Sequence, residues 1–300
     1  MQHGWGPGQL IDTRALTANE TLVAAARTIR VLVRPVSFII VVLMGVYQLA
    51  ASMMFERAFG GIDLDGLEVD GWSSAISGEQ FASMLLWAGT ALIVGMLVSV
   101  VVGGSIVVLA ESADRRHDIR TRDAVRISFD HAGATLGATV LLLTGAFGTA
   151  MVLLIIQSPL GMLVPVLGAV TVVATFLSVG FVAGALSYLI LPVAILEQLG
   201  PVRTLKRAWW TLRHRPARVC GMTALASMVA ISLSVLVSVL FIPLAALASG
   251  AELVWSSLNA IAISLVSIPL FTVLAMVVYL DAVTRIEGVD LRLRDQAGAP

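Results

Sequence analysis

The chain has 300 residues, of which 58% are hydrophobic and only 13% are charged, and its mean hydropathy is +0.94. Soluble domains carry about 25% charged residues, so a chain this apolar has too little polar surface for a water-soluble fold. These values exclude an ordinary soluble enzyme or binding domain, and they predict that lipid is the solvent of most of the chain.

Six apolar runs are long enough for membrane-spanning helices, which need about 20 residues each. They cover residues 36–54, 81–110, 134–156, 162–196, 220–248 and 253–280. The gaps at 157–161 and 249–252 are short and contain turn residues, so we predict tight hairpins there. The gap at 59–80 is longer and acidic. The sequence therefore predicts an all-α polytopic membrane protein with six transmembrane helices arranged as three hairpins.

The basic residues fall in alternate gaps between these runs. Of the 19 Lys and Arg residues, only Arg57 lies in a gap on the other side. This is the positive-inside pattern, and it predicts that both termini are cytoplasmic. Because acidic residues dominate the other face and the net charge is zero, we expect anionic lipid headgroups as partners and no nucleic acid. The excess of Arg over Lys is typical of a GC-rich bacterium and predicts the bacterial inner (plasma) membrane.

Each hairpin is predicted to follow a basic interfacial amphipathic helix. The first begins at a capping box, Thr17-Ala18-Asn19-Glu20, and ends before Pro35. The second covers 122–131. The third begins at Pro201 and ends before Pro216, with an apolar face formed by Val202, Leu205, Ala208, Trp209 and Leu212. A basic helix with Trp at its boundary is typical of a membrane interface. The candidate lipid- or partner-binding residues are Arg203, Lys206, Arg207, Trp209 and Arg213.

The second spanning helix of each hairpin ends in an aliphatic stretch followed by an acid. These acids are Glu111, Glu197 and Asp281, and they are the candidate polar positions at helix ends. One interpretation is that each acid pairs with nearby Arg residues at the interface. The other is that they form a polar ring at the cytoplasmic mouth of a cavity. The repeat predicts three similar hairpins in one bundle.

The predicted organisation has three parts. Residues 1–35 form a cytoplasmic N-terminal tail and interfacial helix, 36–282 form the six-helix transmembrane domain, and 283–300 form a cytoplasmic C-terminal tail. Residues 1–34 lack the apolar segment of a signal peptide.

Two motifs suggest a family. Leu191-Pro192-Val193-Ala194-Ile195-Leu196-Glu197 leads into Gly200-Pro201, and the last run ends in Tyr279-Leu280-Asp281 and continues to Glu287-Gly288-Val289-Asp290-Leu291. With these motifs the chain resembles the glycerophosphoryl diester phosphodiesterase membrane-domain family. The resemblance implies a stand-alone bacterial integral membrane protein that lacks the catalytic barrel of fused members. It therefore implies location and fold, and no hydrolysis.

The sequence offers no catalytic, cofactor or metal constellation. Cys220 is the only cysteine, and none of the four histidines has ligand spacing with another His or Cys. His131, beside Asp130, forms the one His–acid pair of interest. We therefore predict a non-enzymatic protein without cofactors, either a component of a membrane protein assembly or an organiser of lipid. The alternative is a transporter or carrier of a lipid-like or amphiphilic solute, and a membrane-embedded lipid enzyme is the third interpretation.

Overall fold

The computed structural model describes residues 18–59, 78–114, 119–163, 165–247 and 252–297. These residues form seven helices: α1 (Ala18–Phe59), α2 (Gly78–Asp114), α3 (Thr121–Leu163), α4 (Pro165–Leu196), α5 (Pro201–His214), α6 (Pro216–Leu247) and α7 (Glu252–Ala297). All except α5 contain a segment long and apolar enough to cross a membrane, and these ranges contain no strand. The prediction of an all-α fold with six spanning helices is confirmed, and the six apolar helices indicate a multi-pass integral membrane protein.

Several helices are longer than predicted. α1 continues through Pro35, the basic segment at 122–131 is the first part of α3, and the 46-residue α7 runs past residue 282 to Ala297. A continuous helix satisfies its own backbone groups, and apolar helices tolerate an internal proline. The predicted stop at Pro35 is therefore wrong, and in the described chain only the third basic segment forms a separate helix, α5.

The predicted turn at 157–161 is also wrong. α3 continues to Leu163, and α4 begins at Pro165, because a proline is readily accepted at the first position of a helix. Three other predictions fall on parts of the chain outside the described residues. They are the first residue of the capping box, Thr17, most of the acidic gap at 59–80, and the hairpin at 249–252 except for Glu252.

The six long helices form an inner and an outer set. The inner helices α2, α4 and α7 all contact one another. Each outer helix contacts two of them: α1 packs against α2 and α7, α3 against α2 and α4, and α6 against α4 and α7. In chain order each outer helix is followed by an inner helix, and α3 and α6 also contact the inner helix that precedes them. The arrangement as three similar hairpins stays a prediction from the sequence.

The core is concentrated toward one end of the bundle. All residues from Val101 to Ala110 in α2 are buried, as are Thr272–Tyr279 in α7 and most of the last ten residues of α4. We call this end of the bundle, which also carries α5, the basic end. The other half of α4 is more open, with Phe176 and Leu177 50% and 68% exposed. The packed half of the bundle is therefore the half next to α5.

Two glycines allow the helices to approach closely at the basic end. A Cβ on Gly104 would collide with the Ser128 hydroxyl of α3, and one on Gly103 would lie 2.7 Å from Leu191 of α4. The Ser128 hydroxyl donates a hydrogen bond to the Val101 carbonyl at 2.8 Å. Small residues of this kind let membrane helices pack backbone to backbone. These glycines join α2, α3 and α4 into one unit.

The sequence also contains two small-xxx-small pairs, Gly133 with Gly137 and Gly180 with Gly184, and this spacing predicts close helix contact at each pair. A Cβ would meet nothing within 4 Å at Gly133, Gly180 or Gly184, whereas Gly137 packs against Pro201. A small residue permits a close contact and does not require one, so spacing alone did not identify the contacting pair.

Candidate functional site

The junction between α4 and α5 sets the position of the candidate site. Gln198 follows the end of α4 with a positive φ of 52°, in the left-handed region in which helices commonly terminate. Gly200 is the N-cap of α5, and Pro201 occupies its first turn. Pro201 also packs on Gly137 of α3, with 3.0 Å between its Cβ and the position that a glycine Cβ would take. The turn therefore holds α5 against the end of α4 and against α3 at Gly137.

One face of α5 is fixed on the bundle. It contacts α3, α4, α6 and α7. Its buried residues are Thr204, Ala208, Thr211 and Leu212. Small and hydroxyl side chains of this kind allow close helix packing, and the Thr204 hydroxyl donates to the Leu199 carbonyl at 3.2 Å. α5 is thus a packed element of the protein.

The exposed face of α5 contains apolar residues that were predicted to lie on its buried face. Val202 and Trp209 were assigned to the apolar face, but they are 54% and 50% exposed. They share one side of the helix with Lys206 and Arg213, which are also exposed, because spacings of three and four residues bring side chains to the same face. We call these four residues the exposed stripe of α5. It combines apolar and cationic side chains, and Arg203 is exposed beside it.

Arg207 has a different role from the other bases of α5. Its Nε donates to Glu197 Oε1 at 2.8 Å, and its guanidinium lies 4.7 Å from the ring centroid of Trp210. The buried Tyr279 hydroxyl donates to the same Glu197 oxygen. Glu197 therefore connects the end of α4 to α5 and α7, and Arg207 fixes α5 on the bundle.

Asp281 organises a second cluster. Its side chain is fully buried, and Oδ2 lies 2.6 Å from Arg218 Nε. Arg285 Nε donates to both carboxylate oxygens at 3.1 Å, and Arg218 Nη2 donates to the Thr21 hydroxyl at 3.3 Å. This cluster joins the beginnings of α1 and α6 to α7. Between the two interpretations of the helix-end acids, the geometry at Glu197 and Asp281 is that of pairing with arginine.

The remaining polar candidates lie on α2 and α3. Glu111 is half-buried near the end of α2. His131 Nδ1 bonds the Ile127 carbonyl of its own helix at 2.8 Å, while Asp130 is exposed. Across the described ranges, no three His, Cys, Asp or Glu side chains form a group that could hold a metal ion.

A lateral groove lies between α3 and α4 below α5, with a volume of about 600 Å³. Leu142, Ala183 and Leu186 contribute to its apolar lining, and Lys206 and Trp209 line it from α5. Thr149 and Ser178 add two hydroxyls to the wall away from α5. The groove therefore begins at the exposed stripe and extends along the α3–α4 seam.

Sequence reasoning missed the groove and the partners of the acids. Tyr279 belongs to the motif Tyr279-Leu280-Asp281, and Arg218 lies in the basic gap between the fourth and fifth apolar runs. A polar residue at such a position indicates that it has a partner. Which partner it has depends on how α7 packs beside α4 and α6. The groove has no signal in the spacing of its residues, because three separate helices form it.

Comparisons of the chain with protein-family models, with curated proteins and with solved structures found no match. The resemblance to the glycerophosphoryl diester phosphodiesterase membrane-domain family therefore stays a prediction that rests on the two motifs.

Proposed function

We propose that the protein is a non-enzymatic membrane protein that organises anionic lipid at one membrane surface, alone or within a membrane protein assembly. The observation that carries this proposal is the fixed position of α5. One face is packed on the bundle and Arg207 is held by Glu197, while Arg203, Lys206 and Arg213 remain exposed. A rigid basic helix with an exposed Trp offers charge to lipid phosphates and an aromatic ring to the interface.

The proposal includes the orientation of the protein. The basic end faces the cytoplasm of a bacterium, and both termini lie on that side, as the positive-inside rule predicts. Arg213→Cys in a Cys220→Ser background places one thiol at the exposed end of α5. A membrane-impermeant maleimide should label it only after spheroplasts are permeabilised. Labelling in intact spheroplasts would show that the basic end faces away from the cytoplasm.

The lipid proposal is tested by neutralising the exposed bases. We expect the triple variant R203Q/K206Q/R213Q in nanodiscs of equimolar dioleoyl phosphatidylglycerol and dioleoyl phosphatidylcholine to lose its enrichment of the anionic lipid, measured by mass spectrometry of co-purified lipid. Each base near a surface contributes about 1 kcal/mol to such attraction. Arg207 stays unchanged because it supports the fold. The charge-retaining variant R203K/K206R/R213K should keep the enrichment, and equal enrichment in the neutralised and wild-type proteins would contradict the proposal.

A carrier of an amphiphilic solute is the second candidate, and the groove between α3 and α4 is the observation that favours it. The packing of the basic end supports the first candidate instead, since Ile106, Leu189 and Val277 fill its interior and are at most 1% exposed. A carrier would accelerate the transfer of fluorescently labelled phosphatidylglycerol between leaflets of reconstituted vesicles. We expect vesicles that contain the protein to transfer the lipid no faster than protein-free vesicles. A transfer rate that increases with the amount of protein would favour the carrier.

The two motifs also support a proposal of membership in the glycerophosphoryl diester phosphodiesterase membrane-domain family, as a stand-alone member. A solved structure of a fused member should then show the same three inner and three outer helices. A different helix order would exclude the relationship.

A further inference from the structure

We infer that the groove between α3 and α4 holds one acyl chain of an anionic phospholipid whose phosphate lies against Lys206. This inference rests on the proposed lipid binding by α5 and assigns it a defined site for a single lipid. The occupant is a lipid of the leaflet at the basic end.

The depth of the groove fits one leaflet. From Leu141 to Thr149, α3 contributes lining residues over about 12 Å, given a rise of 1.5 Å per residue. Half of a hydrocarbon core about 30 Å thick is about 15 Å. Since Lys206 and Trp209 stand at the end next to the interface, the groove runs from headgroup level toward the middle of the bilayer.

The lining fits a hydrocarbon chain. Side chains from Leu142 and Leu186 give it an apolar wall, and a Cβ at Gly145 would meet nothing within 4 Å. Its volume of about 600 Å³ lies within the 300–1,000 Å³ range of ligand pockets. Leu141 and Val182 on its rims are exposed, so a lipid can enter sideways from the bilayer.

The charge at the interfacial end selects the headgroup. Among the described residues that line the groove, Lys206 is the one charged side chain, and α5 itself contains no acid. The nearby carboxylate of Glu197 is bound to Arg207 and Tyr279. An ammonium with no acid among the described lining residues, beside an exposed Trp, favours an anionic phosphate, while the aromatic ring sits at the boundary between headgroup and chain.

The test is native mass spectrometry of delipidated protein in mild detergent with equimolar dioleoyl phosphatidylglycerol and dioleoyl phosphatidylcholine. Wild type should retain one phosphatidylglycerol. Gly145→Leu fills the groove and should lose that lipid, whereas Gly148→Leu should keep it, because Gly148 is equally open but does not line the groove. Lys206→Gln should keep a lipid but lose about fivefold of the preference for phosphatidylglycerol, equivalent to one surface charge.

Three results would overturn the inference: an unchanged bound lipid in Gly145→Leu, equal retention of both lipids by wild type, or an unchanged preference in Lys206→Gln. Ser178→Leu blocks the groove from the α4 wall and replaces Gly145→Leu if that variant misfolds. Loss of enrichment in the R203Q/K206Q/R213Q variant together with an unchanged bound lipid in Gly145→Leu would contradict the groove site and leave the proposed function intact. Unchanged enrichment in the triple variant would contradict the proposed function.

Discussion

Arg218 Nε lies 2.6 Å from Oδ2 of Asp281, and this ion pair joins the first turn of α6 to the end of the packed part of α7. The Asp281 side chain is fully buried and that of Arg218 is 22% exposed. A charge pair at this depth is costly to desolvate, and its two partners depend on each other. The pair therefore stabilises the packing of the outer helix α6 on the inner helix α7.

Replacing Asp281 with Asn should destabilise the protein by about 3 kcal/mol, because Arg218 and Arg285 would lose the negative charge that compensates them. The free energy of unfolding can be measured by SDS titration in mixed micelles. Asp130→Asn is the matched control, since Asp130 is exposed on α3, and it should change the value by less than about 0.5 kcal/mol. Equal effects of the two variants would show that the ion pair between Asp281 and Arg218 contributes nothing to the free energy of unfolding.

The two buried tyrosines should respond differently to loss of their hydroxyls. Tyr279 donates to Glu197, whereas the buried Tyr188 hydroxyl has no hydrogen-bond partner among the described residues. Tyr279→Phe should cost about 1–2 kcal/mol, and Tyr188→Phe should be neutral or stabilising, because an unsatisfied buried hydroxyl is itself unfavourable. The edge-to-face contact of Tyr188 with Phe271 survives that substitution. The same SDS titration checks both, and a larger loss in Tyr188→Phe would contradict the assigned hydrogen bonding.

A side chain at Gly104 should destabilise the protein. An Ala Cβ there would collide with Ser128 and press on Ile195, so Gly104→Ala should cost about 1–3 kcal/mol through overpacking. Gly184→Ala is the matched control, because a Cβ at Gly184 meets nothing within 4 Å. It should be stabilising by up to about 1 kcal/mol through helix propensity. Thermal unfolding in detergent distinguishes the two, and a harmless Gly104→Ala would show that α2 and α3 are further apart.

The spans were predictable because each is a single apolar stretch whose signal lies within about 20 consecutive residues. The pairing of side chains was not, because it depends on lateral packing. Arg207 and Lys206 are neighbours of opposite role: one is bound to Glu197 and the other lines the groove. From their positions on α5 alone, both were predicted to bind lipid or a partner. The same limit applies to Gly104 and Gly184, which differ only in what the neighbouring helix presents.

Arg207→Lys keeps the charge of α5 and removes the guanidinium group. Lysine cannot reproduce both the Nε bond to Glu197 at 2.8 Å and the guanidinium contact with the Trp210 ring, so it should cost about 1 kcal/mol of stability. Arg203→Lys, on an exposed residue of the same helix, should cost less than about 0.5 kcal/mol. Since the charge is retained, lipid enrichment should stay at the wild-type level in both variants. The opposite pattern, with stability kept and enrichment lost in Arg207→Lys, would make Arg207 a lipid contact and not the residue that fixes α5.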